Sequence, residues 1–215
     1  MSLWQDFCGH NGKMMSKWVW YLPIYEKHFE KYRNSNITFL EIGVAQGGSM
    51  QMWRRYFGPS VKIIGIDINP DCKRHQTPGT FIRIGDQSDS GFLQSIIDEF
   101  GVPDIILDDG SHQQHHVQKT FDFFYPLMPK NGIYMVEDLA CSYWEEYNGG
   151  LGKETFLDFT KTCVDKINAR HSRGIHEPDH ISNQTSCISI YDSLVCFERG
   201  ELWWNPVLDP PRVKW

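Results

Sequence analysis

No block of lysines and arginines, no Cys-x-x-Cys pair and no apolar stretch long enough to cross a bilayer occurs in these 215 residues. With a formal net charge of −6, the first absence excludes the broad cationic surface by which nucleic-acid binders displace phosphate counterions. The second excludes a zinc knuckle and a redox motif. Cys8, Cys72, Cys141, Cys163, Cys187 and Cys196 are scattered, as expected of reduced, buried thiols in a cytoplasmic protein. The third, with a polar and aromatic start that lacks an apolar h-region, predicts a soluble, unexported chain with no membrane partner. Two nucleotide motifs are also missing. In Gly43-Val-Ala45-Gln-Gly47-Gly48, Ala45 replaces the second glycine of the dinucleotide fingerprint, and no Lys-Ser/Thr pair follows as a P-loop requires.

What is present is a chain that is 40% hydrophobic and 22% charged, enough for one sizeable core. Trp18, Tyr21, Leu22, Tyr25 and Phe29 recur at spacings of three and four, which predicts a helix over about Lys13 to Tyr32. Strands are expected at Ile37–Gly43, Val61–Asp67, Thr80–Ile84, Asp104–Leu107 and Ile133–Val136. Helices are expected at Met50–Tyr56, Ser90–Phe100, from after His112 to Leu127, and at Glu154–Ala169. Alternating strands and helices imply an α/β fold with a mostly parallel sheet and helices on both faces. Ser186–Tyr191 and Leu194–Phe197, around Asp192-Ser193, read as a C-terminal antiparallel hairpin. Arg170–Gln184 is charged, histidine-rich and aperiodic, and is expected to be a mobile loop serving as a lid over the acceptor. The expected layout is an N-terminal helical cap (1–35), a catalytic domain (36–200) and an aromatic tail (201–215).

Chemistry-bearing residues gather where strands end. Asp108-Asp109-Gly-Ser-His112 follows Ile105-Ile106-Leu107, and Glu137-Asp138 follows Ile133–Val136. In an open parallel sheet, neighbouring carboxyl ends share the ligand crevice, so these carboxylates and one imidazole suit a hard divalent cation and a general base. The loop of Glu41, Gly43, Gly47 and Ser49 is a sharp, glycine-lined turn with an acid before it, suited to a cofactor carrying an ammonium group. Asp67 ends the next strand, where an acid accepts from ribose hydroxyls, and Asp86 follows the third strand, in place to meet an adenine amino group or to cap the following helix. His115 and His116 are expected as structural helix residues. Tyr143 and Trp144 suit either a wall for a sugar ring or core packing.

Together, Glu41-Ile-Gly43, Asp67, Asp86, Asp108-Asp109-Gly-Ser-His112 and Glu137-Asp138-Leu-x-x-Ser142-Tyr143-Trp144 resemble the class I S-adenosylmethionine-dependent methyltransferases. More narrowly, the pattern is similar to the metal-dependent sugar O-methyltransferases of the macrocin and mycinamicin type, and cephalosporin hydroxylase-like proteins share much of it. The resemblance implies a Rossmann-like fold with a mostly parallel seven-stranded sheet. It implies S-adenosylmethionine bound by Glu41, Gly43, Gly47, Ser49, Asp67, Asp86 and Asp108, Mg²⁺ held by Asp109, Glu137 and Asp138, and His112 as the base. The acceptor would be a sugar hydroxyl of a glycan, nucleotide sugar or glycosylated natural product. Members commonly form homo-oligomers, and Trp203-Trp204 suits a subunit contact. The competing readings are an NAD-dependent oxidoreductase on a related fold, against which the missing fingerprint counts, and a non-catalytic module that binds S-adenosylmethionine or metal.

Overall fold

In the computed structural model, which describes residues 2–200, the strands are β1 (Thr38–Ile42), β2 (Lys62–Asp67), β3 (Thr80–Ile84), β4 (Ile105–Asp108), β5 (Ile133–Val136), β6 (Thr185–Tyr191) and β7 (Leu194–Arg199). They form one sheet in the order β3-β2-β1-β4-β5-β7-β6, parallel except for the β7 and β6 edge. The sheet is thus mixed and seven-stranded, mostly parallel with an antiparallel C-terminal pair. The strand order reverses between β1 and β4, the switch point where such sheets open a crevice. Register aligns Ile42 with both Ile66 and Asp108, and Asp108 with Val136. The loops leaving β1, β2, β4 and β5 therefore emerge side by side.

Near-continuous apolar runs such as Ile105-Ile106-Leu107 suit strands buried on both faces. Alternate residues enter two cores. On one face, Phe39, Ile63, Ile105 and Met135 pack with Tyr25 and Phe29 of α2 (Tyr21–Phe29), with Trp53 and Phe57 of α3 (Gly48–Phe57), and with Leu3 of α1 (Leu3–Cys8). On the other, Leu40, Ile64, Ile106 and Tyr134 pack with Leu93 of α4 (Ser90–Phe100), Phe121 of α5 (Gln114–Phe124), Phe156 of α6 (Phe156–Asn168) and Ile181 of α7 (His180–Gln184). The segment before residue 36 therefore shares its core with the sheet. Among the described residues, no helix is long and apolar enough to cross a membrane.

Four expectations are corrected. The helix expected over Lys13–Tyr32 is confined to α2 and a following 3₁₀ turn. Residues 14–18 are irregular because they run over the crevice, and the short α1 precedes them. Arg170–Gln184, expected as a mobile loop, contains α7, held by a capping box in which Asp179 and Ser182 exchange hydrogen bonds, with Ile181 fully buried as its anchor. Asp89, not Asp86, caps α4. Of the six thiols, all unpaired, Cys8 and Cys187 are exposed rather than buried. The tail with Trp203-Trp204 lies outside the described residues.

Candidate active site

β1 runs into the crevice at Gly43, whose φ of +90° belongs to glycine; a Cβ there would lie 2.0 Å from the Asp109 carbonyl oxygen. This close approach joins the β1 and β4 loops. Asp67 shapes the same turn: its Oδ2 accepts from the amides of Val44 (2.9 Å) and Ala45 (3.0 Å), and its Oδ1 from Asn69 (2.8 Å). Burial pushes the Asp67 carboxyl up, but these amides together hold it below its ordinary value. Asp86 Oδ1 accepts from the Ser88 amide at 2.7 Å, and its carboxyl is held low chiefly by Ser88. Gly43, Ser49, Asp67 and Asp86 line a cavity of about 420 Å³, together with Gln87, Asp109, His112 and Asp138.

Two of the expected cofactor residues lie behind that lining, and a third opens a helix beside it. Glu41 is fully buried, accepting from the Ser49 hydroxyl at 2.9 Å, and burial pushes its carboxyl up to about 7 against the pull of Lys17. Asp108, also buried, accepts from Gln87 Nε2 at 3.2 Å and from the Tyr134 hydroxyl at 3.2 Å; burial raises it to about 7. Gly47, at φ +76°, starts α3, and a Cβ there would strike the His75 ring.

At the other end of the cavity, Asp109, His112 and Asp138 each offer a ligand atom within 4.8 Å of the others. His112 Nε2 is 3.8 Å from Asp138 Oδ2. Both residues hold left-handed backbone, His112 at φ +56° and Asp138 at φ +53°. Paired non-glycine strain of this kind is retained where surroundings over-determine it, typically at functional sites. Glu137 is buried beside them, with the Tyr25 hydroxyl donating to Oε1 and Lys17 Nζ 2.9 Å from Oε2. Burial raises its carboxyl to about 8.

Lys17, Trp18, Tyr21 and Tyr25 reach the acids through contacts that carry no signal in the sequence. Lys17 Nζ lies 2.6 Å from Asp109 Oδ2 and 3.5 Å from Glu41 Oε1, with its side chain only 3% exposed. Tyr21 places its hydroxyl 3.0 Å from Asp138 Oδ1, and Trp18 Nε1 donates to the same oxygen at 3.2 Å. No spacing marks Lys17, because its partners are 24 to 120 residues away and come together only through the sheet. Tyr21 and Tyr25 belong to the helical stripe, which signals burial but not that their hydroxyls end on acids. Trp18 stacks on Trp20 with centroids 4.6 Å apart, and both rings are exposed beside the acids. Tyr143 and Trp144 are exposed and so not core residues. His115 is exposed, whereas His116 borders the cavity with Nδ1 3.0 Å from Ser111 Oγ.

Oxygen-rich donors around one small volume fit a hard cation such as Mg²⁺; zinc would favour more nitrogen or sulfur. The buried Glu41 Oε1 has no hydrogen-bond partner and faces the same volume through its ion pair with Lys17.

No family model matches the chain. It is 38% identical over 156 residues to the 8-demethyl-8-alpha-L-rhamnosyl tetracenomycin-C 2'-O-methyltransferase of Streptomyces olivaceus, covering 68% of this chain and 41% of that protein. It is 31% identical over 194 residues to the demethylmacrocin O-methyltransferase of Streptomyces fradiae, covering 84% and 49%. The solved structure of MycE methyltransferase from the mycinamycin biosynthetic pathway, in complex with Mg and SAH, superposes with a TM-score of 0.80 at 29% identity, covering 91% of this chain and 55% of that one. The chain thus spans about half the length of the curated relatives it matches. Sheet order, hairpin and glycine-lined crevice define the class I methyltransferase fold. Within that class, the chain is a homologue of the sugar O-methyltransferases of the macrocin, mycinamicin and tetracenomycin type.

Proposed function

We propose that this chain transfers a methyl group from S-adenosylmethionine to a sugar hydroxyl of a glycosylated small molecule, with Mg²⁺ held by Asp109, Glu137 and Asp138 and His112 as general base. The observation that carries the reading is a single cavity with the Asp67-braced glycine loop at one end and Asp109, His112 and Asp138 at the other. The relatives named above are sugar O-methyltransferases, and the MycE complexes contain Mg and SAH, one of them also mycinamycin VI.

When bound, Mg²⁺ would supply Lewis acidity that lowers the acceptor hydroxyl's pKa, and S-adenosylmethionine would supply the methyl group on its sulfonium. The rest falls to the chain. Asp67 holds the Val44–Ala45 amides in place and turns its remaining acceptor capacity toward ribose hydroxyls; Asp86 faces the adenine side. His112 Nε2 takes the acceptor's proton, and Asp138, 3.8 Å away, stabilises the imidazolium that forms. The exposed Trp18–Trp20 stack offers a flat apolar face to the sugar ring while the Trp18 indole keeps its bond to Asp138.

The test is methyl transfer from labelled S-adenosylmethionine to a panel of rhamnosylated and deoxyhexosylated small molecules, with Mg²⁺ and with chelator. Metal-dependent labelling of a sugar hydroxyl is expected. Cofactor binding without labelling of any glycoside would favour the non-catalytic module, and reduction of NAD by a glycoside would favour the oxidoreductase.

A further inference from the structure

Two seats for a cation adjoin each other in the carboxylate cluster, and they have different consequences. The first lies among Asp109, His112 and Asp138. The second lies between Asp109 and Glu137, and the Lys17 ammonium fills it, 2.6 Å from Asp109 Oδ2 and 2.9 Å from Glu137 Oε2. Both oxygens of Glu137 are engaged, the other by the Tyr25 hydroxyl. A cation held in the first seat would have the His112 imidazole among its ligands, which would leave that residue unable to act as the proposed base. A cation that binds Glu137 together with Asp109 and leaves His112 free would meet the Lys17 ammonium in the second seat.

We propose that Lys17 is a built-in counter-cation of this cluster and that a divalent ion bound by Asp109 and Glu137 displaces its ammonium from between them. The inference rests on the methyltransferase reading above and gives it a positioning residue. With its side chain 3% exposed and three carboxylates within 3.5 Å, Lys17 keeps Glu41, Asp109 and Glu137 together as a cation among like charges. Carboxylates this close, two of them buried, would otherwise repel one another, so the ammonium preserves a preformed donor set. A divalent ion supplies more charge to the same oxygens and makes the ammonium redundant. Lys17 also ends the Met14–Lys17 stretch that borders the cavity, so releasing it moves an amine and the adjoining backbone beside the cofactor and acceptor. Metal loading and the shape of this wall are therefore coupled.

The direct test uses the full chain. Metal-stripped and Mg²⁺-saturated protein are pulsed with an amine-acylating reagent, and Lys17 modification is read by peptide mass spectrometry. Protection without metal and labelling with it is the expected result; protection that persists at saturating Mg²⁺ overturns the proposal. As a second measurement, calorimetry compares Mg²⁺ affinity in wild type and Lys17→Met. The variant should bind at least about tenfold more tightly, because no charge-assisted hydrogen bonds have to be broken for the ion to enter. Unchanged or weaker binding counts against displacement. Mg²⁺ should also raise the melting temperature of Lys17→Met more than that of wild type, a comparison that remains readable if the variant is destabilised. If wild type binds Mg²⁺ with Lys17 still protected, only this inference fails; if neither protein binds Mg²⁺, the metal part of the proposed function fails with it.

Discussion

His112 shows how one residue's backbone and chemistry constrain the experiment that tests it. Its φ of +56° is unfavourable for most L-residues, and asparagine tolerates that region better than alanine. His112→Asn therefore removes the proposed base while keeping the turn that presents it. Turnover should fall by about 10²–10⁴, the usual worth of a general base. S-adenosylmethionine affinity should stay near wild type in calorimetry, since the substitution lies at the carboxylate end of the cavity, away from the Asp67-braced loop; an unaltered single-turnover rate would remove His112 from the mechanism. The residues legible in the sequence were those whose neighbours are also their sequence neighbours. Asp109 and His112 share one loop, Glu137 and Asp138 share another, and the strand ends that carry them can be read from apolar runs. Lys17 and Tyr25 escaped because their partners are assembled by tertiary packing.

At the scale of elements, the Asp67 contacts bind the end of β2 to the loop after β1, and their strength depends on a charged carboxylate. Its folded-state pKa lies below the ordinary value, so its contribution is present above the ordinary carboxylate pKa and is lost as pH falls through the folded value. In urea titrations across the acid range, wild type should be the more stable at neutral pH, and its advantage over Asp67→Asn should shrink as the pH drops below the ordinary aspartate range. An advantage that does not vary with pH would mean that the amides do not depend on the charge. The α7 cap makes a separate prediction. Asp179 accepts from the Ser182 amide at 3.1 Å and pairs with Lys166, so Asp179→Ala should cost about 1 kcal/mol in denaturant unfolding. No loss at all would return this segment to the mobile loop expected from its composition. That expectation missed a five-residue helix because one turn and a half shows no apolar period; its anchor is the single residue Ile181, and its start is set by a cap. The parallel strands were legible for the opposite reason, since burial on both faces writes itself as unbroken apolar sequence. The N-terminal stripe had the right period but overran, because Trp18 sits at helical spacing while the chain around it crosses the crevice mouth.

For the whole molecule, the net charge of −6 matters less than where negative charge is concentrated. Glu41, Asp109 and Glu137 converge on one lysine, with Asp138 beside Asp109 in the same crevice, so carboxylates outnumber the ammonium that pairs with them. A crevice with this field attracts a divalent ion and a sulfonium cofactor and repels a diphosphate-bearing dinucleotide. The loop agrees: with Ala45 in place of the second glycine, the backbone lacks the close approach that a pyrophosphate needs. On the proposed reading, selectivity between the two cofactors has two sources, charge and backbone shape, and it can be read through stability. A ligand that binds only the folded state at about 100 times its Kd adds about 2.7 kcal/mol. For a domain of this size, that corresponds to a rise in Tm of roughly 5–10 °C. S-adenosylmethionine should produce such a rise in thermal scans, enlarged when Mg²⁺ is also present, and NAD at the same concentration should leave Tm unchanged. A comparable rise with NAD would mean that the acidic cluster does not set cofactor choice and that the oxidoreductase reading has to be reopened.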